Sequence, residues 1–176
     1  MSSTIAEHVP SFTLPGVDGA EHSLADYDGA PVLVLIQSCN HCPYVQAWEG
    51  RMIAIQHDYA DRGVRLVAVN SNDVSQKPGD SFEGMQERAR EKGFNFDYLR
   101  DDDQSLARAL GSERTPEVFV YDRDRRLVYH GAIDDDRDEG AATQSYLRDA
   151  LDAVLAGGAP VVAETPPVGC TVKWKS

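Results

Sequence analysis

Hydrophobic and polar positions along this chain follow two periods, and the switches between them mark its elements. Pro31-Val-Leu-Val-Leu-Ile36 is a continuous apolar run, the pattern of a strand buried on both faces. Val45, Trp48, Met52, Ile55 and Tyr59 then recur at helical spacing until Gly63, where a helix is predicted to stop. Val64-Arg-Leu-Val-Ala-Val69 is a second apolar strand, and its connection through one helix predicts a parallel, right-handed β-α-β unit.

The flanks are less regular. Residues 8–29 carry short extended pieces around Asp18-Gly19, which predict a small N-terminal β-hairpin. Between Asn70 and Gly111 the pattern loosens into an insert after the second core strand. It holds a turn-rich loop over 71–79 and a helix opened by Asp80-Ser-Phe-Glu83 as a capping box, with Phe82, Met85 and Ala89 on its inner face and Gly93 as its stop. Phe94–Leu99 reads as a short strand, and Leu106, Ala107 and Leu110 as a brief helix ended by Gly111. Residues 117–121 and 127–130 form an antiparallel hairpin around 122–126, and a last helix is predicted from Thr143 to Ala156. The layout is α/β, with a central mixed β-sheet flanked by helices in a single domain over 1–176, and residues 160–176 as a strand-like tail packed on it.

The chemistry is concentrated where the first strand meets the first helix, at Ser38-Cys39-Asn40-His41-Cys42-Pro43-Tyr44. Pro43 is tolerated in the first helical turn because its missing N–H would be unpaired there. Unpaired N–H groups at a helix start favour a thiolate, and the expectation places it on Cys39, with Cys42 as the thiol that resolves a mixed disulfide. A Cys-x-x-Cys is also half of a zinc site, but zinc requires four ligands. The other cysteine, Cys170, is remote, and no two of the five histidines have ligand spacing with each other.

Composition narrows the partners. A net charge of −12 and a pI of about 4.7 disfavour a phosphate backbone or an anionic membrane surface, so neither nucleic acid nor membrane is expected. Asp101–Asp103 and Asp134–Asp136 read as solvated faces or loops. The start, Met-Ser-Ser-Thr-Ile-Ala-Glu-His, has neither a basic segment nor an apolar core, so a cytoplasmic location is expected. In that reducing compartment a Cys-x-x-Cys is more often catalytic than structural.

A second informative stretch is Thr115-Pro116 at the head of the strand 117–121, a candidate for a cis peptide bond. With Pro10-Ser-Phe12-Thr-Leu14-Pro-Gly, Cys39-Asn-His-Cys-Pro-Tyr-Val45, Val69-Asn-Ser-Asn-Asp73, Tyr98-Leu-Arg-Asp101 and Pro167-Val-Gly-Cys-Thr-Val-Lys-Trp174, the chain resembles the thioredoxin-fold redoxins of the alkyl hydroperoxide reductase/thiol-specific antioxidant superfamily. The resemblance implies a thioredoxin fold in which a cis-proline loop faces the cysteine pair and the backbone before it pairs with a substrate strand. Those roles fall on Pro116 and Thr115. It further implies a thiol–disulfide oxidoreductase with Cys39, Cys42 and His41 as catalytic residues, Asn40 and Tyr44 on the rim, and no cofactor or metal. The implied partners are protein or small-molecule disulfides and a cellular dithiol reductant, for a monomer or weak dimer.

The departures set the alternatives. Ser38 stands where thioredoxins proper place Trp, and Leu33 where they bury an acid. Arg125 takes a turn position where the family often has Gly, which predicts a strained turn. Arg114 is an ordinary surface residue or a positive charge near Cys39. A peroxidase of this superfamily uses Pro-x-x-x-Thr-x-x-Cys. Set on Cys42, that motif meets Cys39 and Leu35, and set on Cys39 it meets Ile36 and Val32, so neither register fits. Copper delivery with His130 as the third ligand is a further alternative, against which stands a cysteine spacing one residue too short. Cys170, an odd cysteine beside a redox pair, could be a third exchange partner or join two chains, but its alternation with Val168, Val172 and Trp174 predicts a buried, inert thiol.

Overall fold

The computed structural model describes residues 5–176. The N-terminal stretch read above for a leader begins in residues 1–4, outside that range. Strands β1 (Thr13–Pro15) and β2 (Glu21–Ser23) form the expected hairpin, with Thr13 opposite Ser23. Then come β3 (Val32–Ser38), α1 (Pro43–Tyr59), β4 (Val64–Asn70), α2 (Phe82–Lys92), β5 (Asp97–Arg100) and α3 (Ser105–Leu110). The chain continues through β6 (Arg114–Thr115), β7 (Glu117–Tyr121), β8 (Leu127–Gly131), α4 (Tyr146–Leu155) and β9 (Cys170–Thr171).

The main sheet has the order β5-β4-β3-β7-β8, with β3, β4 and β5 parallel and β7 and β8 antiparallel to their neighbours. All seven residues of β3 are buried, because each face of this central strand meets its own layer. Val32, Val34 and Ile36 pack with Trp48, Met52 and Leu151 on one side, and Leu33 and Leu35 with Phe12, Tyr27, Leu106 and Leu110 on the other. Each such fully buried side chain contributes about 1.5–3 kcal/mol.

The sheet edges are closed by the chain itself. At β5, Gly16 bridges Leu99 and the Val17 N–H donates to the Tyr98 carbonyl at 3.0 Å. At β8, His130 donates to Ala163 and accepts from Thr165, so the tail runs alongside the edge. The first half of β4 has no β5 partner, and a side chain takes its place. Gln56 of α1 donates to the Val64 carbonyl at 2.9 Å and accepts from the Leu66 N–H at 2.6 Å.

Several elements differ from expectation for reasons visible in their hydrogen bonds. Helix α4 starts at Tyr146 rather than Thr143, because the N–H and hydroxyl of Thr143 are held by the Asp135 carboxylate at 2.8 and 2.6 Å. The fifth strand starts at Asp97, behind Phe94 and Phe96, whose rings stack at 4.6 Å. The acidic runs are not wholly solvated. Asp101 is buried and accepts the N–H groups of Leu106 and Ala107 at the start of α3. Asp134 is buried between Trp48 and Arg51, at 2.8 and 2.6 Å. Arg125 does sit in a strained turn, at φ 61°, and its guanidinium donates to the carbonyls of Tyr27 and Ala30.

Gln56→Ala should cost about 1–3 kcal/mol, since it strands one backbone donor and one acceptor on the unpaired half of β4. Urea denaturation reads this directly, and an unchanged midpoint would mean that water replaces the glutamine.

Candidate active site

The end of β3 and the start of α1 bring Cys39 and Cys42 into a turn at the C-terminal edge of the parallel strands, the usual location for ligands in such sheets. The N-cap of α1 is Cys42, with Pro43 at the first helical position. Facing this turn is β6, followed by the cis Thr115–Pro116 peptide bond. Cys39 Sγ lies 3.6 Å from the Thr115 hydroxyl, and Cys42 Sγ 3.4 Å from the Thr115 carbonyl oxygen.

The third thiol is here too. Strand β9 pairs antiparallel with β6, placing Cys170 opposite Thr115, and Cys42 Sγ and Cys170 Sγ are 2.7 Å apart. The expected environment of Cys170 is thereby corrected. The valine alternation breaks, with Val168 47% exposed and Val172 buried, because the tail's register is set by its bonds to Thr115 and Glu113 rather than by an apolar face.

A cavity of about 100 Å³ is lined by Cys39, Cys42, Cys170, Thr115, His41 and Asp80, with Asn72, Lys77 and Lys173 completing much of its wall. His41 is exposed, and its ring lies against Gly79, where an added methyl group would meet Nε2 at 1.7 Å. Pro116 is buried and is not part of the lining. Asn40 and Tyr44 are not brought to the cavity. Tyr44 stacks on Trp48 at 6.4 Å beneath Arg137. Asn40 is buried, with its amide donating to the Gly79 carbonyl and accepting from the Tyr98 hydroxyl. Arg114 is exposed and also lies outside the lining.

The electrostatics differ from expectation in one respect. The groups that favour a thiolate, the Cys170 thiol and the N–H groups of Val45 and Cys170, gather on Cys42 rather than on Cys39. The pKa of Cys42 is held below the ordinary thiol value by a hydrogen bond from Cys39, and, against the cost of burial, by these groups. Cys39 is pushed up by the same shared hydrogen bond, by burial and by the charge of Asp80. The helix N-terminus acts where the helix begins, and that is one turn later than the first cysteine.

Asp80 is the residue the sequence reading missed as a site residue. The sequence pattern makes it the cap of α2, a role that Ser81 fills by accepting from the Gly84 N–H at 3.1 Å. Asp80 is instead buried, and its carboxylate accepts from the Asn40 N–H at 2.7 Å and from the side-chain amides of Asn70 and Asn72, each at 3.0 Å. A buried acid is thus present beside the pair, although Leu33 does not supply it. His130 is engaged elsewhere. Its Nε2 is 2.6 Å from Glu117, whose other oxygen accepts the N–H groups of Glu113 and Arg114 and so braces β6. His130, the third ligand of the copper alternative, is therefore not at the cysteines.

A cysteine pair at a strand-to-helix turn, set against a cis-prolyl loop, is the arrangement of a thioredoxin-like redox protein. The chain belongs to the AhpC/TSA family, which it matches over residues 5–130. It is similar over its full length to a hypothetical protein from Sinorhizobium meliloti, at 37% identity and a TM-score of 0.93, covering 97% of that chain. An uncharacterized conserved protein from Geobacillus kaustophilus is 38% identical, with a TM-score of 0.91 over 98% of this chain and 93% of that one. Peroxidoxin BcpB from Mycobacterium tuberculosis shares the fold at a TM-score of 0.64 and 18% identity, over 88% of this chain and 95% of that one. No curated protein matches the chain. Among the described residues no helix is long and apolar enough to cross a membrane.

Asp80→Asn keeps the shape of the side chain but turns one acceptor toward N–H donors. A stability loss of about 2–4 kcal/mol is expected in urea. Removing the charge that raises Cys39 should also move its alkylation profile to lower pH. A stability loss with an unmoved Cys39 profile would show that the charge does not reach the thiol.

Proposed function

We propose that the protein is a thiol–disulfide oxidoreductase that exchanges two electrons through Cys39 and Cys42. The observation that carries this reading is that both sulfurs border one open cavity and both approach Thr115, the residue before the cis-proline. The Cys42 thiolate attacks one sulfur of a substrate disulfide, releasing the other as a thiolate. Cys39 then attacks Cys42 Sγ, and the second substrate sulfur leaves with the proton that Cys39 gives up. The protein's two thiols become a disulfide, and the substrate disulfide becomes two thiols. A dithiol reductant reverses the change on the protein. His41, Lys77 and Lys173 border the cavity where the departing thiolate would develop charge.

Two features speak against peroxide as the principal substrate. The peroxidase threonine and proline fall on Cys39 and Leu35 when its motif is set on Cys42, and Leu35 is fully buried in the core. The threonines that do line the cavity, Thr115 of β6 and Thr171 of β9, belong to other segments of the chain.

Two measurements test the proposal. Cys42→Ser should lower the rate of insulin disulfide reduction by about 100-fold or more, given that the thiolate is the nucleophile. Retention of full activity would end this account. In the reduced protein, iodoacetamide should still modify Cys42 at pH 6, where an ordinary thiol is only about 0.3% ionised. The sign follows from the lowered pKa, which keeps the thiolate populated as pH falls. Rapid consumption of hydrogen peroxide combined with sluggish insulin reduction would favour a peroxidase instead.

A further inference from the structure

The loop before a cis-proline is where an extended substrate would be expected to pair, and in this chain the position is already filled. Strand β9 occupies it, with Cys170 opposite Thr115 and the Val172 N–H bonded to the Glu113 carbonyl at 3.0 Å. The approach is built for it. A methyl group on Gly169 would lie 1.9 Å from the Thr115 carbonyl oxygen, so only glycine lets the tail come this close. Beyond β9 the tail is tied down, with the Lys173 N–H on the Asn72 side chain at 2.8 Å, the Lys173 carbonyl on the Asp73 N–H and Gln104, and the Lys175 N–H on Gln104. Cys170 is therefore held against Cys42 by both flanks of the tail, with the two sulfurs 2.7 Å apart.

We infer that Cys170 is a third redox-active thiol, and that the tail is a resident disulfide-exchange partner which shares Cys42 with Cys39. The inference rests on the exchange reading above. Starting from the Cys39–Cys42 disulfide, the Cys170 sulfur attacks Cys42 Sγ. A Cys42–Cys170 bond forms, the Cys39–Cys42 bond breaks, and Cys39 leaves as a thiolate that takes the proton released by Cys170. No electrons enter or leave, so the step only moves the disulfide. In the other direction, a substrate sulfur bound to Cys42 can be expelled by Cys170 as well as by Cys39. Burial and the Cys42 thiolate hold the proton on Cys170 until Cys42 is consumed, which delays this attack until a mixed disulfide or the Cys39–Cys42 bond exists.

The test uses the full chain and 2-hydroxyethyl disulfide, followed by alkylation and peptide mass mapping. In Cys39→Ser the expected product is a Cys42–Cys170 cross-link with no retained 2-mercaptoethanol adduct. The adduct on Cys42 should decay at least about tenfold faster than in the Cys39→Ser, Cys170→Ala double variant, reflecting the advantage of an attacking group already in place. A lasting adduct on Cys42 with Cys170 still alkylatable overturns the inference, while a Cys39–Cys42 disulfide in the unmodified protein leaves the exchange reading standing. Loss of that disulfide as well would remove both. Gly169→Ala changes no thiol but expels the tail, so it should abolish the Cys42–Cys170 cross-link and keep the Cys39–Cys42 bond. An undiminished cross-link in Gly169→Ala would show that the β-pairing does not position Cys170, and would overturn the inference in its present form.

Discussion

The geometry of the site depends on one carboxylate. Asp80 arrives from the loop before α2 and accepts hydrogen bonds from the cysteine turn through Asn40 and from the end of β4 through Asn70 and Asn72. Asn72 in turn accepts from Lys173 of the tail, and Arg100 clasps the carbonyls of Asn72 and Asp80. Three segments far apart in sequence are thereby referred to a single buried anion. Buried polar networks of this kind rigidify when every member is satisfied, and each of these groups has its partner. The position of the cysteines against Thr115, and of the tail against both, follows from that arrangement.

What the sequence disclosed was what repeats. The both-sides-buried strand, helix α1 with Val45, Trp48, Met52, Ile55 and Tyr59 buried, the β-α-β unit and the cis Thr115–Pro116 bond all have local signatures, and all are present. Asp80 has none. Its partner Asn40 is forty residues away, and Asp-Ser-Phe-Glu also satisfies a capping pattern in which the aspartate rather than Ser81 is the cap. The runs of aspartate misled in the same way, since charge along a chain says nothing about which one of three faces inward to meet Trp48 and Arg51 or the N–H groups of α3. The stretches Val69–Asp73 and Tyr98–Asp101 hold polar residues whose partners lie in other segments. They are the residues from which the Asp80 network is made.

Cys170 shows a different limit. Alternation with Val168 and Val172 is a sound argument for a strand facing a core, yet β9 spans only Cys170–Thr171 and takes its register from the equally short strand β6. The placement of the thiolate on Cys42 has a related origin. Motif spacing puts both cysteines near a helix start, but the cap itself is a matter of one residue, and the backbone donors follow it.

The tail and the N-terminal hairpin loop have a consequence for how the molecule meets others. Gly16–Val17 closes the β5 side of the main sheet, and Ala163–Thr165 closes the β8 side. A sheet with both rims occupied offers no bare strand on which another chain could extend it. The segments that cover the two rims lie outside the core β-α-β unit, so among the described residues a strand added at either rim would first have to displace them. Because the tail is anchored again at β9 and Lys173, a cut between α4 and Ala163 would leave it docked, and the β8 rim would be bared only by lifting residues 163–165 themselves.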